Sequence, residues 1–401
     1  MPGFEVFGVE EKKEIDEVLA TGVLFRYEFP QERRGIYKVR QFEEDFARYC
    51  GVAHAQAVSS GTAALKVALT AMGVGPGDEV ITQGFTFVAT WEAIFDVGAL
   101  PIFAEVDDTL NLDPANLESK ITAKTKAIIP VHMLGAPARI KEIKAIADRY
   151  QIPVLEDTAQ APGAGIDGRK CGSFGLCGTF SFDPVKTLTT GEGGMIVTDD
   201  QDLWRKMSEY HDHGHDHIKN PGGRGGERRS FIGFNFRMME LQGAIGLAQL
   251  AKLDGIVAAQ RRNKETLAKL VAELPGVSFR TVPDPAGDNA SFLAFFLPDE
   301  VTTKQVNAIL GQNGAGAVYF ANNTWHYYPK WEHLLAASTL ARSGWPFKEA
   351  DGRRRVHYDP KALPQSAALI DRLLVYPVPV KLTDERLEQI AKAVKAAKAA
   401  G

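Results

Sequence analysis

Cysteine is scarce in this sequence: Cys50, Cys171 and Cys177 are the only three among 401 residues. So thin and odd a set excludes a disulfide framework and favours a reducing compartment. The spacing of Cys171 and Cys177 does not suit a usual zinc pair. No apolar run approaches the ~18 residues of a membrane span, and Met1 to Lys13 carries acids where a signal peptide would need an apolar stretch. The expected location is therefore cytoplasmic, with no membrane partner. An excess of charge of one sign is missing too. Lys and Arg number 46 against 50 Asp and Glu, a net charge of -4, and no basic block exists to follow a nucleic-acid backbone. Nucleic acid is not an expected partner. The N-terminal half also lacks a G-x-G-x-x-G between a strand and a helix, which disfavours a nicotinamide enzyme. Internal repeats are absent.

What is present is alternation. Between about residues 40 and 200, short apolar runs alternate with helical patterns, the signature of an α/β fold with a mostly parallel sheet covered on both faces. Strands are expected at Ala55–Val58, Glu79–Thr82, Leu100–Ala104, Ala127–Val131, Val154–Glu156, Gly178–Phe182 and Met195–Thr198. Helices are expected at Thr62–Ala71, Trp91–Val97 and Ile140–Tyr150, where apolar residues recur every three or four positions. A long helical pattern runs from Asn235 to Leu270, and the character changes beyond it. The expected division is a large domain over 1–255, with an N-terminal arm, and a smaller α+β domain over 256–401. In the latter, Val277–Val282 and Ala294–Leu297 read as strands, and Thr302–Gly311 and Asp384–Ala400 as helices. Lys219 to Arg229, KNPGGRGGERR, is too rich in glycine and charge to pack and reads as a mobile loop.

Four segments carry polar groups at the end of an expected strand or the start of an expected helix, where α/β sheets bind ligands. Ser59-Ser60-Gly61-Thr62-Ala63 opens a helix, and its free N–H groups favour a phosphate; an ordinary capped turn is the plainer alternative. Val154 to Gln160 delivers two carboxylates and an amide. Asp157 there could keep a pyridinium nitrogen protonated, with Gln160 one turn on, or could simply cap a helix. The run FSFDPVKTLTTGEGG, from Phe180, places Lys186 just after an apolar strand, in a turn where its amine could be desolvated into a nucleophile's range. A lone lysine would more often be a solvated charge. Gly233 to Arg237 lies at the start of the long helical pattern, where Asn235 and Arg237 either cap the helix or contact an anion.

Taken in order, SSGTAAL, GFTFVAT, LEDTAQAPGA, FSFDPVKTLTTGEGG and GFNFRMMELQGAIGLAQL closely resemble the DegT/DnrJ/EryC1/StrS family of sugar aminotransferases dependent on pyridoxal 5'-phosphate (PLP). The resemblance covers about residues 30 to 265. It implies fold type I, the aspartate-aminotransferase-like arrangement, with Lys186 as the Schiff-base lysine and Asp157 paired with the pyridine nitrogen. By the same resemblance Gly61, Thr62 and Ser181 would hold the phosphate, while Gln160 and Phe87 would lie against the ring. Asn235 would reach the phosphate of a neighbouring subunit, so a homodimer with shared sites is implied. Some relatives carry histidine at the lysine position and are dehydratases; this chain keeps lysine. The implied chemistry is two half-reactions. An amino donor, expected to be glutamate, gives up its amino group, and a carbonyl of a sugar or sugar acid receives it.

The stretches YHDHGHDHIKN, GFNFRMMEL and NNTWHYYPKWEHL, with the opening MPGFEVFG, narrow the resemblance to a branch of the family that aminates a sugar-acid aldehyde. Arg237, His215, Trp325 and His326 are the expected substrate contacts. His211, His213, His215 and His217 would share one face of an extended strand and invite a metal reading. The intervening Asp212, Gly214 and Asp216 fit a polar wall better, and no metal is expected. Two other functions stay open: a transaminase of simple amines or diamines on the same scaffold, and a noncatalytic binding or regulatory protein. Intact Lys186, Asp157 and Ser181 argue against the last.

Overall fold

The computed structural model describes residues 2–217, 229–349 and 351–400. The glycine-rich stretch read as a mobile loop, 219–229, lies outside the described residues except for Arg229. Seven short strands follow the expected apolar runs: β1 His54–Val58, β2 Glu79–Gln83, β3 Leu100–Ala104, β4 Thr125–Ile129, β5 Leu155–Asp157, β6 Cys177–Ser181 and β7 Gly194–Thr198. Three of them form the parallel group β3-β2-β4, and four form β1-β7-β6-β5. Parallel bridges Ile128–Val154 and Val131–Asp157 join the two groups at β4 and β5. Strand β7 alone runs against both of its neighbours, so the sheet is mostly, not wholly, parallel. Its strands are buried almost throughout, as sheets covered on both faces are.

Helices α1 (Gly61–Ala71), α2 (Val88–Asp96) and α3 (Ile140–Arg149) follow β1, β2 and β4. The second begins three residues earlier than its apolar period implied, so Phe87 stands at its N-cap. A 32-residue helix, α4, spans Glu240–Val271. Its start is later than the expected Asn235, because Asn235 and Arg237 are drawn into antiparallel bridges with Asp212 and Val58. They therefore do not cap the helix.

A second sheet contains β8 (Ser278–Phe279), β9 (Phe292–Phe296), β10 (Val318–Tyr319) and β11 (Leu373–Pro377), in the antiparallel order β8-β9-β11-β10. Helices α5 (Glu300–Gln312) and α6 (Asp384–Ala400) cover it. Helix α4 serves both cores: Leu253 and Val257 pack with Phe42, Phe46 and Phe182, whereas Leu267 and Val271 pack with Phe295 and Leu374. We propose the division at 255–256, just ahead of the stretch between Val257 and Leu267 over which this helix changes partners. The chain crosses back beyond that point. Tyr328, Trp331, Phe347, Tyr358 and Leu363 form one apolar cluster with Val88, Trp91 and Phe103. Among the described residues no helix is long and apolar enough to cross a membrane.

Candidate active site

Strand β1 runs out into Ser59-Ser60, and Ser60 Oγ accepts the Ala63 N–H at 3.0 Å, so this serine caps α1. Gly61 and Thr62 form the positive end of that helix. A methyl group on Gly61 would lie 2.6 Å from Ser181 Cβ. Glycine is thus what allows the Ser181 hydroxyl, at the end of β6, to stand against the helix terminus. Together they make a cradle of N–H and O–H donors suited to a phosphate.

The next strand end carries two acids with different surroundings. Glu156 is fully buried and accepts the N–H groups of Gly172, Phe174 and Gly175 at 2.8, 2.6 and 2.7 Å. His132 Nδ1 accepts the Ala138 N–H at 3.0 Å, so its proton sits on Nε2, which donates to Glu156 at 2.9 Å. Glu156 is saturated. Among the described residues Asp157 takes only the Ala159 N–H at 3.1 Å and the Thr90 hydroxyl at 2.8 Å. Burial pushes its carboxyl above the usual range, against the pull of those two bonds and of the Lys186 charge. Such a carboxylate gains by facing another cation.

Lys186 follows β6, its N–H donating to Asp183 O at 3.0 Å. Its Nζ lies 5.8 Å from the centre of the Phe87 ring, and no hydrogen bond or ion pair holds it among the described residues. Burial lowers its pKa although Asp183 and Asp157 work the other way. A larger neutral fraction is what an amine nucleophile needs. The cradle, Asp157, Gln160, Phe87 and Lys186 all line one cavity of about 360 Å³. Gln160 is fixed there by the Leu134 N–H, which its side-chain oxygen accepts at 2.9 Å.

The cavity mouth comes from far along the chain. Thr86 N–H donates to His326 O and Val88 N–H to Trp325 O, both at 3.0 Å. The Trp325 ring lies 5.5 Å from that of Phe87 and within 15° of parallel. His326 lines the cavity too, and burial, with the Lys186 charge, lowers its pKa to about 4.

Arg237, His215 and Asn235 stand outside this cavity in their own chain. The Arg237 guanidinium is engaged by Asp212 and lies 5.3 Å from the Phe25 ring. His215 is buried, its ring 4.0 Å from that of His217, and Asn235 is exposed. The extended strand that a metal reading of 211–217 would need is not formed; the segment turns, with His213 at φ 53°. His211 lies 3.1 Å from Tyr27 Oη, and His217 Nε2 lies 2.6 Å from an Asp212 oxygen. Among the described residues no group of three His, Cys, Asp or Glu side chains is arranged for a metal ion. Thr90 and Glu156 were not singled out in the sequence. Thr90 sits three residues after Phe87, the spacing that puts two side chains on one helical face, and this could have marked it.

A phosphate cradle, an amine whose pKa burial lowers and an acid suited to a cation are what a phosphorylated pyridine aldehyde requires. With the sheet that carries them, they define a PLP-dependent aminotransferase of fold type I. The chain belongs to the DegT/DnrJ/EryC1/StrS aminotransferase family, whose sequence profile matches residues 8–350. It is 34% identical over 404 residues to the spore coat polysaccharide biosynthesis protein SpsC of Bacillus subtilis, covering 97% of this chain and 95% of that one. It is 47% identical over 226 residues to GDP-perosamine synthase of Caulobacter vibrioides; that match spans 55% of this chain and 58% of the relative. Among solved structures, the aminotransferase from Psychrobacter cryohalolentis superposes with a TM-score of 0.82 at 29% identity, covering 98% of both chains. NtdA from Bacillus subtilis, solved with its cofactor PMP, gives 0.76 at 25% identity, covering 99% of this chain and 84% of that one.

Proposed function

We propose that the chain moves the amino group of glutamate onto a carbonyl carbon of a sugar or sugar acid. The acceptor we favour is the 8-aldehyde of 3-deoxy-manno-octulosonate, a lipopolysaccharide sugar acid. The observation that carries the sugar reading is the cavity mouth. Trp325, 58% exposed, offers a flat apolar face beside polar His326, the two kinds of surface that a hydroxylated ring presents. His326 is neutral at pH 7; its Nδ1 pairs with Asn323 Oδ1 at 3.0 Å, which leaves Nε2 to accept from a hydroxyl. The Caulobacter relative is named for a nucleotide-linked sugar, which supports the class. The aldehyde is supported by sequence: YHDHGHDHIKN, NNTWHYYPKWEHL and MPGFEVFG resemble the transaminase that makes 8-amino-3,8-dideoxy-manno-octulosonate.

When bound, PLP supplies an electron sink for the charge left on a deprotonated substrate carbon. The Lys186 amine would hold the cofactor's aldehyde and, once displaced by the donor, its Nζ would carry a proton between the substrate carbon and the cofactor carbon. Asp157 holds the proton on the pyridine nitrogen. The Gly61 and Thr62 N–H groups and Ser181 Oγ hold the phosphate, while Gln160 and Phe87 contact the ring. The working form is a homodimer in which Asn235 reaches the partner's phosphate, with Arg237 as a substrate contact from the same surface; His215 is buried beside His217 and backs that surface rather than meeting substrate. Exposed Phe231, Ile232, Phe234 and Met239 around Asn235 support that interface. Three buried free cysteines fit the cytoplasm.

A screen of the pyridoxamine form against keto-sugars, sugar-acid aldehydes and simple aldehydes tests the acceptor. Preference for simple aldehydes sinks the sugar reading. One feature favours transamination of simple amines instead: a second chamber of about 190 Å³ beside Lys186, lined by Leu134, Phe292, Val318, Phe320 and Pro377, would suit an aliphatic chain. Putrescine outperforming glutamate as donor would decide for it.

A further inference from the structure

One buried cation has no part in the chemistry above. Arg280, immediately after β8, is 6% exposed. Its Nη2 donates to Met133 O at 3.0 Å, while Nε and Nη1 are buried without a hydrogen-bond partner among the described residues. Burial lowers its pKa to about 10, so it keeps its charge at neutral pH. Buried charges are ordinarily paired and their donors satisfied, and a departure from that points to a water or an ion.

Arg280 lines a cavity of about 600 Å³ between the C-terminal half of α4 and the second sheet. Arg261 and Lys264 stand on its helical wall, with Glu265 and Asp288 as its acids. Asp288 is already committed: its carboxylate takes Lys264 Nζ and the Ala290 N–H, and its carbonyl takes Arg261 Nε at 2.7 Å. Glu265 is exposed. Three cations therefore line the cavity with two acids, one used up and the other in solvent; Asp107, the other acid that acts on Arg280, is paired with Arg139.

We propose that this cavity is a binding site for a small oxyanion, a carboxylate or a phosphate, held by Arg280 with Arg261 and Lys264. Guanidinium groups match such anions in both charge and donor geometry. The site is separate from the Lys186 cavity yet adjoins its supports. Leu134, the residue after the one that Arg280 holds, binds Gln160 Oε1; Asn289, the residue after Asp288, donates to Gln160 O at 3.2 Å.

Calorimetric titration of the PLP-loaded enzyme with inorganic phosphate and, separately, with succinate tests the proposal. Saturable binding of at least one is expected, weakened about tenfold or more by Arg280→Met and less by Lys264→Gln. The probe that binds distinguishes a phosphate ligand from a carboxylate one. Thermal melts establish that each variant is folded; Lys264→Gln, on the half-buried wall, carries the test if Arg280→Met is not. Equal affinity in wild type and folded variants would assign the anion to the Lys186 cavity and overturn the proposal. So would the absence of saturable binding by either probe, which leaves water as the partner of Arg280.

Discussion

Two clusters of ionisable side chains lie beside the end of β1, and they are built on opposite terms. Around Asp212 the groups use one another up: Asp212 engages both Arg237 and His217, and His211 is shared between Tyr27 and Gln56. Around Lys186 the groups are held but left with capacity to spare. The ammonium has no partner among the described residues, and Asp157 accepts two bonds where Glu156 beside it takes four. The density of histidines and acids draws the eye to the first cluster, whereas unused valence marks the second as the place for chemistry.

Substitution separates the two kinds of site. Lys186→Ala should have the largest effect, lowering turnover by about 10⁴-fold or more and removing the visible band of the lysine-bound cofactor. Retained turnover would end the assignment. The neighbouring acids should then part company. Asp157→Asn lowers turnover by about a hundredfold with little change in stability, whereas Glu156→Gln costs about 2–4 kcal/mol in urea unfolding and spares turnover per folded molecule. Equal losses of turnover would erase the distinction between them. Gly61→Ala overpacks the cradle by about 1–3 kcal/mol and should weaken PLP binding about tenfold, as read from cofactor titration of the apoenzyme. In the saturated cluster, His211→Phe should cost about 2 kcal/mol of stability and leave kcat within about threefold; a deeper loss of kcat would place chemistry there as well.

The smallest effect is one of pH. His326 has a folded pKa of about 4 against an ordinary 6.5. Between those values the unfolded chain takes up a proton that the folded chain refuses, so stability falls as pH drops through that window and is unaffected above it. In His326→Gln, the loss of urea stability from pH 7 to pH 4.5 should be shallower than in wild type.

The sheet and the residues that line the Lys186 cavity were legible because local pattern and strand-end chemistry agree: apolar runs end in Ser-Gly, Glu-Asp and a lysine turn. What escaped depends on distant pairing. Nothing local to Gly194–Thr198 says that β7 is reversed. The helical period alone could not show that Asn235 and Arg237 would be captured as bridges, which delays α4 to Glu240. Trp325 and His326 could be singled out, but the pairing of Phe85 with Tyr327 that brings them to the cavity spans over two hundred residues of sequence.

Glu156 and Asp157 are consecutive on β5, so the strand's two-residue alternation sends one acid to the scaffold and the next into the cavity that holds Lys186. Their roles are therefore written in register. Deleting Leu155 would move each following residue back one place, burying Asp157 among the backbone donors that Glu156 now meets and putting Thr158 where Asp157 stands. This strand tolerates a change of side chain far better than a change of count.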